Sequence, residues 1–217
     1  AGVRRIPAET IRRQLEAVFG KWGMAEAHIA TTVEAMVATD LSGVDSHGLG
    51  MLPSYHDRRA RGIVNDRPNI RVVREKPAVA LIDADRSLGH PPSVMAMRLA
   101  VEKAKATGVA VVGVRNSNHF GAAGYYSRMA AEMGVVGMAM TNAPGPAMVP
   151  TFGRESVLGT NPLAFAAPAR RNPPFALDMA TTTVAVGKLN IARRLGKAIP
   201  EGWALNEAGR PETDGAA

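Results

Sequence analysis

The sequence predicts an α/β fold in which a helical N-terminal region, residues 1–66, precedes a mixed-sheet region, residues 67–217. Apolar residues recur at helical spacing near the N-terminus, and short β-rich runs alternate with helical stretches after residue 66. The chain has 217 residues, of which 46% are hydrophobic, so it can bury a sizeable core. These three observations favour a folded α/β protein over a disordered chain.

Two amphipathic helices are predicted at residues 7–19 and 25–39, where apolar side chains return every three or four positions. The segment 41–48 follows them and contains two glycines and two serines, a composition typical of a tight turn. A further helix is predicted over residues 49–61.

Beyond residue 66 the predicted pattern is strand, strand, helix, strand, followed by a second run of alternating elements. In chain order we expect strands at 70–73 and 79–82, a helix at 93–105, a strand at 109–114, a helix at 125–133, a strand at 135–140, a Pro/Gly loop at 142–159, strands at 163–167 and 175–177, and a helix ending near 195. Thr181, Thr182 and Thr183 can cap that last helix, and the residues after it are predicted to be loop.

Composition argues against several classes of protein. The formal charge is +7, but the arginines form scattered pairs without interleaved aromatics, which favours solvated helix faces or attraction of small anions over nucleic-acid binding. The chain has no cysteine and no H-x-x-x-H spacing, so we expect no metal site. No apolar run approaches the roughly 18 residues of a membrane span, and the first residues lack the apolar core of a secretory signal. We expect a soluble, cytoplasmic protein without a membrane partner.

His47 is the first candidate for acid/base chemistry. It lies in the predicted turn between Ser46 and Gly48, where a hydroxyl can orient the imidazole and a glycine permits close approach of a substrate. The alternative is a histidine that only satisfies the turn.

His119 is the second candidate. It follows the predicted strand 109–114, and α/β folds place ligands at the ends of their strands. The alternative is an asparagine-rich loop whose side chains bind their own backbone. His28 and His56 fall within predicted helices and His90 at a helix start, which favours packing or capping roles.

A dinucleotide, if bound, must be held without a Rossmann motif, because the sequence contains no G-x-G-x-x-G. Two segments offer suitable groups: the turn containing Thr160 and Asn161, and the strand end formed by Asp178, Met179, Ala180 and Thr181 before a predicted helix N-terminus. The alternatives are an ordinary turn at the entry of a strand and an ordinary helix cap.

Six segments in order carry a family resemblance: DSHG, NSNHFGAAGYYS, TNAPGPAMVPTFG, GTNPLAFAAP, ALDMATTTVAVGKL and IPEGWALNEAG. Their order resembles the malate/L-lactate dehydrogenase family of NAD(P)-dependent oxidoreductases, which lacks a Rossmann fold. The resemblance covers almost the whole chain. It implies a non-Rossmann NAD(P)-binding core in residues 67–217, a small 2-oxo acid or 2-hydroxy acid as substrate, NAD or NADP as cofactor, and a homodimer.

The resemblance also implies roles for individual residues. His47 would donate the proton during reduction, Ser46 would orient it, and His119 would face the same substrate as a second catalytic or binding residue. Asp178, Met179, Ala180 and Thr181 match the cofactor segment of the family, and Thr160 and Asn161 match a turn near the active site.

Three departures from the family pattern accompany the resemblance. Met51 stands where many members have an arginine that holds the substrate carboxylate, and Ala143 stands where relatives often have serine. Family members continue with glycine-rich stretches beyond the GWALNEAG segment, so we expect residues 67–217 to be a C-terminally incomplete cofactor-binding region. Two rival functions stay open: reduction of a cyclic imino acid such as a piperideine or pyrroline carboxylate, and dinucleotide binding without catalysis.

Overall fold

The first part of the chain is helical in the structure, a computed structural model that describes residues 5–143, 145 and 147–215. Helix α1 spans Ala8–Trp22 and α2 spans Glu26–Leu41. Gly23 ends α1 in the left-handed conformation, with φ of 79°, which glycine adopts at little cost. A 3₁₀ turn, Leu49–Met51, then leads into α3, Leu52–Ala60.

These helices share one apolar core. Phe19 of α1, Met36 of α2 and Tyr55 of α3 are completely buried in it. Because the buried positions of α1 recur at helical spacing, the amphipathic pattern in the sequence is the cause of this packing. The three predicted helices are therefore confirmed, with α3 beginning in a 3₁₀ turn.

The first sheet follows, with β1 at Arg71–Lys76, β2 at Val79–Asp83 and β3 at Val111–Arg115 in the order β1-β2-β3. Strands β1 and β2 pair antiparallel, while β2 and β3 pair parallel. A parallel pair needs a crossover connection, which α4, His90–Thr107, supplies. The sheet is therefore mixed, and the carboxyl ends of β2 and β3 lie at the same edge of it.

The second sheet is antiparallel throughout. After α5, Ala123–Glu132, it contains β4 at Gly137–Met140, β5 at Leu163–Ala167 and β6 at Phe175–Met179 in the order β4-β5-β6.

The two faces of this second sheet differ. Small residues of β5, Ala164 and Ala166, are fully buried on one face. The opposite face, here called the apolar face of the second sheet, alternates with them along the strands and is lined by Met138, Met140, Leu163, Phe165, Phe175, Leu177 and Met179. Several of its side chains are exposed, Met140 to 63% and Phe175 to 59%.

The C-terminal part differs from the prediction in two places. Helix α6 spans Val186–Leu195 and has Ala185 at its N-cap with no side-chain cap hydrogen bond, so the threonines at 181–183 do not cap it. Residues after α6 are not entirely loop, because Ala204–Leu205 (β7) and Pro211–Glu212 (β8) pair antiparallel. Pairs this short carry too little periodicity to be detected in a sequence.

Predicted elements between residues 66 and 180 all occur, and the α/β fold class is confirmed. The predicted loop at 142–159 has no helix or strand among its described residues apart from an isolated bridge between Met148 and Leu158, and Pro144 and Pro146 lie outside the described residues. Over the described ranges, no helix has both the length and the apolar composition to cross a membrane.

Candidate active site

His47 lies in the turn that joins α2 to the 3₁₀ segment. The Oγ of Ser46 is 2.8 Å from Nδ1 of His47, so the hydroxyl and one ring nitrogen form a hydrogen bond. Asp40, at the end of α2, accepts a hydrogen bond of 2.9 Å from the backbone N–H of Leu49. Gly48 packs so closely on the Asp40 carboxylate that a Cβ would overlap it. The turn is therefore held to α2 by a carboxylate that needs glycine beside it.

His119 lies in the loop after β3, against the loop after β2. Four backbone hydrogen bonds of 2.7 to 3.1 Å continue the pairing of these strands beyond their ends: Ala84 N–H to Arg115, Arg86 N–H to Asn116, Asn118 N–H to Ser87, and Gly89 N–H to His119. The Nδ2 of Asn118 donates further bonds to the carbonyls of Arg86 and Ser87, at 2.8 and 3.1 Å. The position of His119 is thus fixed by the first sheet.

The two candidate histidines come together in the fold. Their rings stack, with centroids 5.4 Å apart and planes at 29°. Nδ1 of His119 is 2.8 Å from the hydroxyl of Tyr55 and accepts a hydrogen bond of 3.2 Å from the N–H of Gly121. Helix α3, the loop after β3 and the turn after α2 therefore meet at one pair of imidazoles.

The surroundings of the two imidazoles shift their proton affinities unequally. Burial lowers the pKa of His47, while the negative charge of Asp178 raises it. For His119, burial together with the charges of His47 and Arg58 lowers the pKa to about 4. His119 is therefore neutral near pH 7, and among these neighbours only Asp178 supports a proton on the pair.

Asp178 of strand β6 is the acidic residue whose charge acts on His47. Its Oδ2 accepts a hydrogen bond of 2.8 Å from the N–H of Gly124, in the first turn of α5. A Cβ on Gly124 would lie 2.8 Å from the same oxygen, so glycine is required there. Gly187 of α6 is equally close to the turn of His47, since an added Cβ would lie 2.9 Å from Cβ of Ser46.

The two segments with cofactor-type groups are joined to each other. Both the backbone N–H and the hydroxyl of Thr181 donate to the carbonyl of Thr160, at 3.0 and 3.2 Å. Asn161 accepts a hydrogen bond of 2.9 Å from the N–H of Ala143. Thr181 is not at a helix N-terminus, however, because α6 begins only at Val186.

Met51 stands where the resemblance leads us to expect a carboxylate-binding arginine. Its side chain is partly buried and packs against the helical core formed around Tyr55. A cation is present nearby instead, because Nη2 of Arg58 donates a hydrogen bond of 3.0 Å to Oδ1 of Asn118, next to His119.

Sequence reasoning missed Tyr55, Arg58 and Asp40 as neighbours of the two histidines. The available signal for the first two was position: α3 follows the turn of His47 directly, and residues 55 and 58 lie one helical turn apart on one face. Nothing in the spacing indicated that this face meets His119.

The remaining histidines lie outside the stacked pair. His28 is in α2, and His56 is in α3 with its ring 6.0 Å from that of Trp22. His90 is the first residue of α4 and is fully buried, with its ring edge-on to Tyr55 at 5.8 Å. No described residue forms a hydrogen bond with either ring nitrogen of His90.

His90 should make stability depend on pH. Burial and the nearby His119 lower its pKa to about 3 in the folded state, from 6.5. The unfolded chain therefore binds the proton first as the pH falls below 6.5, and folding stability drops by about 1.4 kcal/mol per pH unit from this residue alone. Between pH 6.5 and 5 the contribution is about 2 kcal/mol.

Between pH 7 and 5 the free energy of unfolding should fall by about 2 kcal/mol less in His90→Gln than in the wild type. Urea unfolding at both pH values measures this difference. His56→Gln, which changes an exposed histidine, is the control and should keep the wild-type drop. An equal drop in His90→Gln and wild type would show that His90 takes up its proton in the folded state.

Comparison with known proteins gives a consistent result. A family model for malate/L-lactate dehydrogenase matches residues 6–217. The malate dehydrogenase of Pyrococcus horikoshii is 48% identical over 209 residues, which cover 96% of this chain and 58% of that protein. The L-sulfolactate dehydrogenase of Methanocaldococcus jannaschii is 45% identical over 197 residues, covering 91% of this chain and 57% of that protein. The chain thus spans less than two thirds of the length of these relatives.

Solved structures agree in fold. The crystal structure of malate dehydrogenase from Entamoeba histolytica matches with a TM-score of 0.94 and 35% identity, over 99% of this chain and 60% of that chain. The Δ1-piperideine-2-carboxylate reductase from Pseudomonas syringae matches with a TM-score of 0.91 and 29% identity, over 99% of this chain and 64% of that chain. The similarity therefore extends over the whole arrangement that positions the two histidines.

Proposed function

The chain belongs to the malate/L-lactate dehydrogenase family, and on that premise we propose that it acts as a cytoplasmic NAD(P)-dependent oxidoreductase that interconverts small 2-oxo acids and 2-hydroxy acids. The observation that carries the proposal is the stacked pair of His47 and His119, in which the negative charge of Asp178 acts on His47 and the positive charge of Arg58 acts on His119. An acid/base group beside a second polar group is what reduction of a carbonyl requires.

His47 is the proposed proton donor. Reduction turns the carbonyl oxygen of a 2-oxo acid into an alkoxide, which must receive a proton as it forms. Asp178 favours the protonated form of His47. In that form Nδ1 carries a hydrogen, so Oγ of Ser46 accepts the hydrogen bond that fixes the ring, and Nε2 has no hydrogen-bond partner among the described residues. In the oxidation direction the neutral His47 takes the proton back.

His119 is proposed to hold the substrate beside His47. It is neutral near pH 7, and its loop is fixed by the backbone bonds that extend the first sheet. Arg58 places a positive charge next to it, which suits a carboxylate substrate better than the apolar Met51 does.

The proposed nicotinamide cofactor, NAD or NADP, supplies or accepts the hydride when bound. The hydroxyls and amides of Thr160, Asn161 and Thr181 suit its polar parts, and the Thr181–Thr160 bonds hold these groups together. Asp178, Met179 and Ala180 complete the proposed segment, which lies beside His47 through Asp178.

The proposal is tested by initial rates on the protein with pyruvate, oxaloacetate and sulfopyruvate, each with NADH and with NADPH. We expect reduction of at least one 2-oxo acid. A cyclic imine, piperideine-2-carboxylate, belongs in the same panel because a piperideine carboxylate reductase shares the fold. Reduction of the imine alone would replace the proposed substrate class, and cofactor binding without turnover of any substrate would favour a binding module.

Thr181 provides a direct test of the cofactor segment. Thr181→Glu should weaken NAD(P)H binding at least tenfold, since it adds bulk and negative charge where the polar parts of an anionic cofactor are proposed to bind. Fluorescence titration measures the Kd, and circular dichroism checks the fold. Thr183→Glu adds the same charge two residues away on another exposed side chain and should bind almost normally. Equal affinities for Thr181→Glu and wild type would remove this segment from the proposed site.

A homodimer is the proposed assembly. The apolar face of the second sheet leaves Met138 51% and Met140 63% exposed, and contiguous exposed apolar surface favours association. Light scattering at micromolar concentration should give twice the mass of the protomer. A mass equal to one protomer over the whole concentration range would contradict this.

A further inference from the structure

The two hydrogen-bond contacts of His119 constrain its tautomer. Both are made by the same nitrogen, Nδ1, which faces the Tyr55 hydroxyl at 2.8 Å and the backbone N–H of Gly121 at 3.2 Å. A backbone N–H can only donate a hydrogen bond. Nδ1 must therefore carry a lone pair and no hydrogen. Gly121 can make this contact because its φ of 75° turns the backbone into the left-handed region.

A neutral imidazole carries one hydrogen, so the hydrogen of His119 is on Nε2. No described residue forms a hydrogen bond with Nε2. The free side of the ring thus presents a fixed N–H donor beside His47, while its acceptor nitrogen faces the protein.

The hydroxyl of Tyr55 is placed to donate a hydrogen bond to Nδ1 of His119. Its ring is fully buried and lies edge-on to His90 at 5.8 Å and tilted against His119 at 5.7 Å, so it cannot turn away. Burial raises the pKa of its hydroxyl far above neutrality, so it keeps its proton. The hydroxyl and the Gly121 amide are then two donors that converge on one acceptor.

The charged and titratable groups around His119 all act against a second proton on it. Burial is the main cause of its lowered pKa, and the charges of His47 in the preceding turn and of Arg58 in α3 lower it further. Burial and, to a smaller extent, the charge of His119 lower the pKa of His90 at the start of α4, so His90 also disfavours a proton on His119. A cationic His119 would also have to point a hydrogen from Nδ1 at the N–H of Gly121.

We propose that Tyr55 is a positioning residue that, with the Gly121 amide, holds His119 as the neutral Nε2–H tautomer, so that His119 donates a hydrogen bond to an oxygen of the substrate and leaves proton transfer to His47. The identity of the acceptor rests on the proposed dehydrogenase function, but the tautomer does not. His47 and His119 thus have different roles, although both lie in similar turns of the sequence.

The tautomer is measured directly by ¹⁵N NMR of the protein labelled at its histidines. At pH 7 we expect His119 to show a protonated Nε2 and an unprotonated Nδ1, with the signals assigned by their loss in His119→Asn. A protonated Nδ1 in the wild type, or rapid averaging of the two nitrogens, overturns the proposal without any variant.

Tyr55→Phe tests the role of the hydroxyl while keeping the buried ring. It removes one of two donors, so His119 should sample both tautomers, and the KM for the 2-oxo acid should rise roughly three- to tenfold while the pH profile of kcat is unchanged. Tyr126→Phe is the matched control, because it removes another buried hydroxyl, which donates to the carbonyl of Phe120 beside His119. A merely structural role would make both variants behave alike.

The outcomes distinguish this inference from the proposed function. The Nε2–H signature in a protein that reduces no 2-oxo acid would uphold the tautomer and refute the dehydrogenase. An active enzyme whose His119 carries its hydrogen on Nδ1 would uphold the dehydrogenase and refute the tautomer. A Tyr55→Phe variant that keeps both the wild-type ¹⁵N pattern and the wild-type KM would show that Gly121 alone sets the tautomer, and Tyr55 would lose its positioning role.

Discussion

Replacing His47 with asparagine is expected to lower kcat and kcat/KM for reduction of a 2-oxo acid together, by about 100-fold or more. The reason is that the lost interaction exists mainly in the transition state, where the new alkoxide needs a proton. Cofactor affinity should barely change, because the proposed cofactor groups lie on β6 and in the turn at Thr160. Steady-state kinetics with a nicotinamide fluorescence titration measures both quantities.

His119→Asn is the variant with which the kcat and KM of His47→Asn should be compared. An asparagine can still donate one hydrogen bond, so the main expected effect is a higher KM. The reverse pattern, with kcat falling in His119→Asn and KM rising in His47→Asn, would exchange the proposed roles. Wild-type rates in both variants would remove catalysis from these two turns.

The pH profile checks the same assignment independently. Reduction uses protonated His47, so wild-type kcat/KM should fall as the pH rises through the pKa of His47, and oxidation should show the opposite slope. Burial places that pKa below its ordinary value of 6.5, although Asp178 counteracts the shift. This fall of kcat/KM with rising pH should be absent in His47→Asn and present in His119→Asn.

Gly89→Ala is expected to be among the most damaging single-methyl changes in the chain. The new Cβ would lie 2.9 Å from the carbonyl oxygen of His119 and closer still to that of Asn118, and backbone atoms cannot move aside as a flexible side chain can. The free energy of unfolding should fall by about 1 to 3 kcal/mol or more, and kcat/KM should fall with it because the His119 loop is displaced.

Gly20→Ala is the matched control for that change. Gly20 lies in α1, is exposed, and has nothing within 4 Å of an added Cβ. An alanine there should raise the free energy of unfolding by about 0.5 to 1 kcal/mol, because it restricts the unfolded chain. Urea unfolding of both variants should therefore give shifts of opposite sign. A Gly89→Ala variant as stable as Gly20→Ala would mean that the close approach to the His119 loop is relieved without cost.

Local features of the site were predictable from the sequence, and long-range ones were not. The turn of His47 follows from its glycines and serines, and the placement of His119 follows from the apolar strand before it. Both signals are local, because turn composition and strand periodicity act over a few neighbouring residues. The resemblance to the malate/L-lactate dehydrogenase family, confirmed by the family match, is what linked the two turns to one proposed site.

Contacts such as Tyr55 with His119, 64 positions apart, have no local signal. They depend on how α3 packs against the loop after β3, which is decided by the tertiary core. The same holds for Asp178 and Gly124, which are 54 positions apart and join β6 to α5. The expectation that Thr181 stands at a helix N-terminus was wrong for a related reason: three threonines form a good cap in isolation, yet the helix begins beyond them at Val186.

The backbone bonds that continue β2 and β3 to Gly89 and His119 also have a dynamic meaning. Amides in such a ladder exchange with solvent only when the strands they extend separate, so the N–H groups of Ala84, Arg86, Asn118 and Gly89 should exchange as one slow set. The loop of His119 should then open only together with the first sheet. The loop that carries its ring is therefore ordered before a substrate binds, since moving it requires the strands of the first sheet to separate.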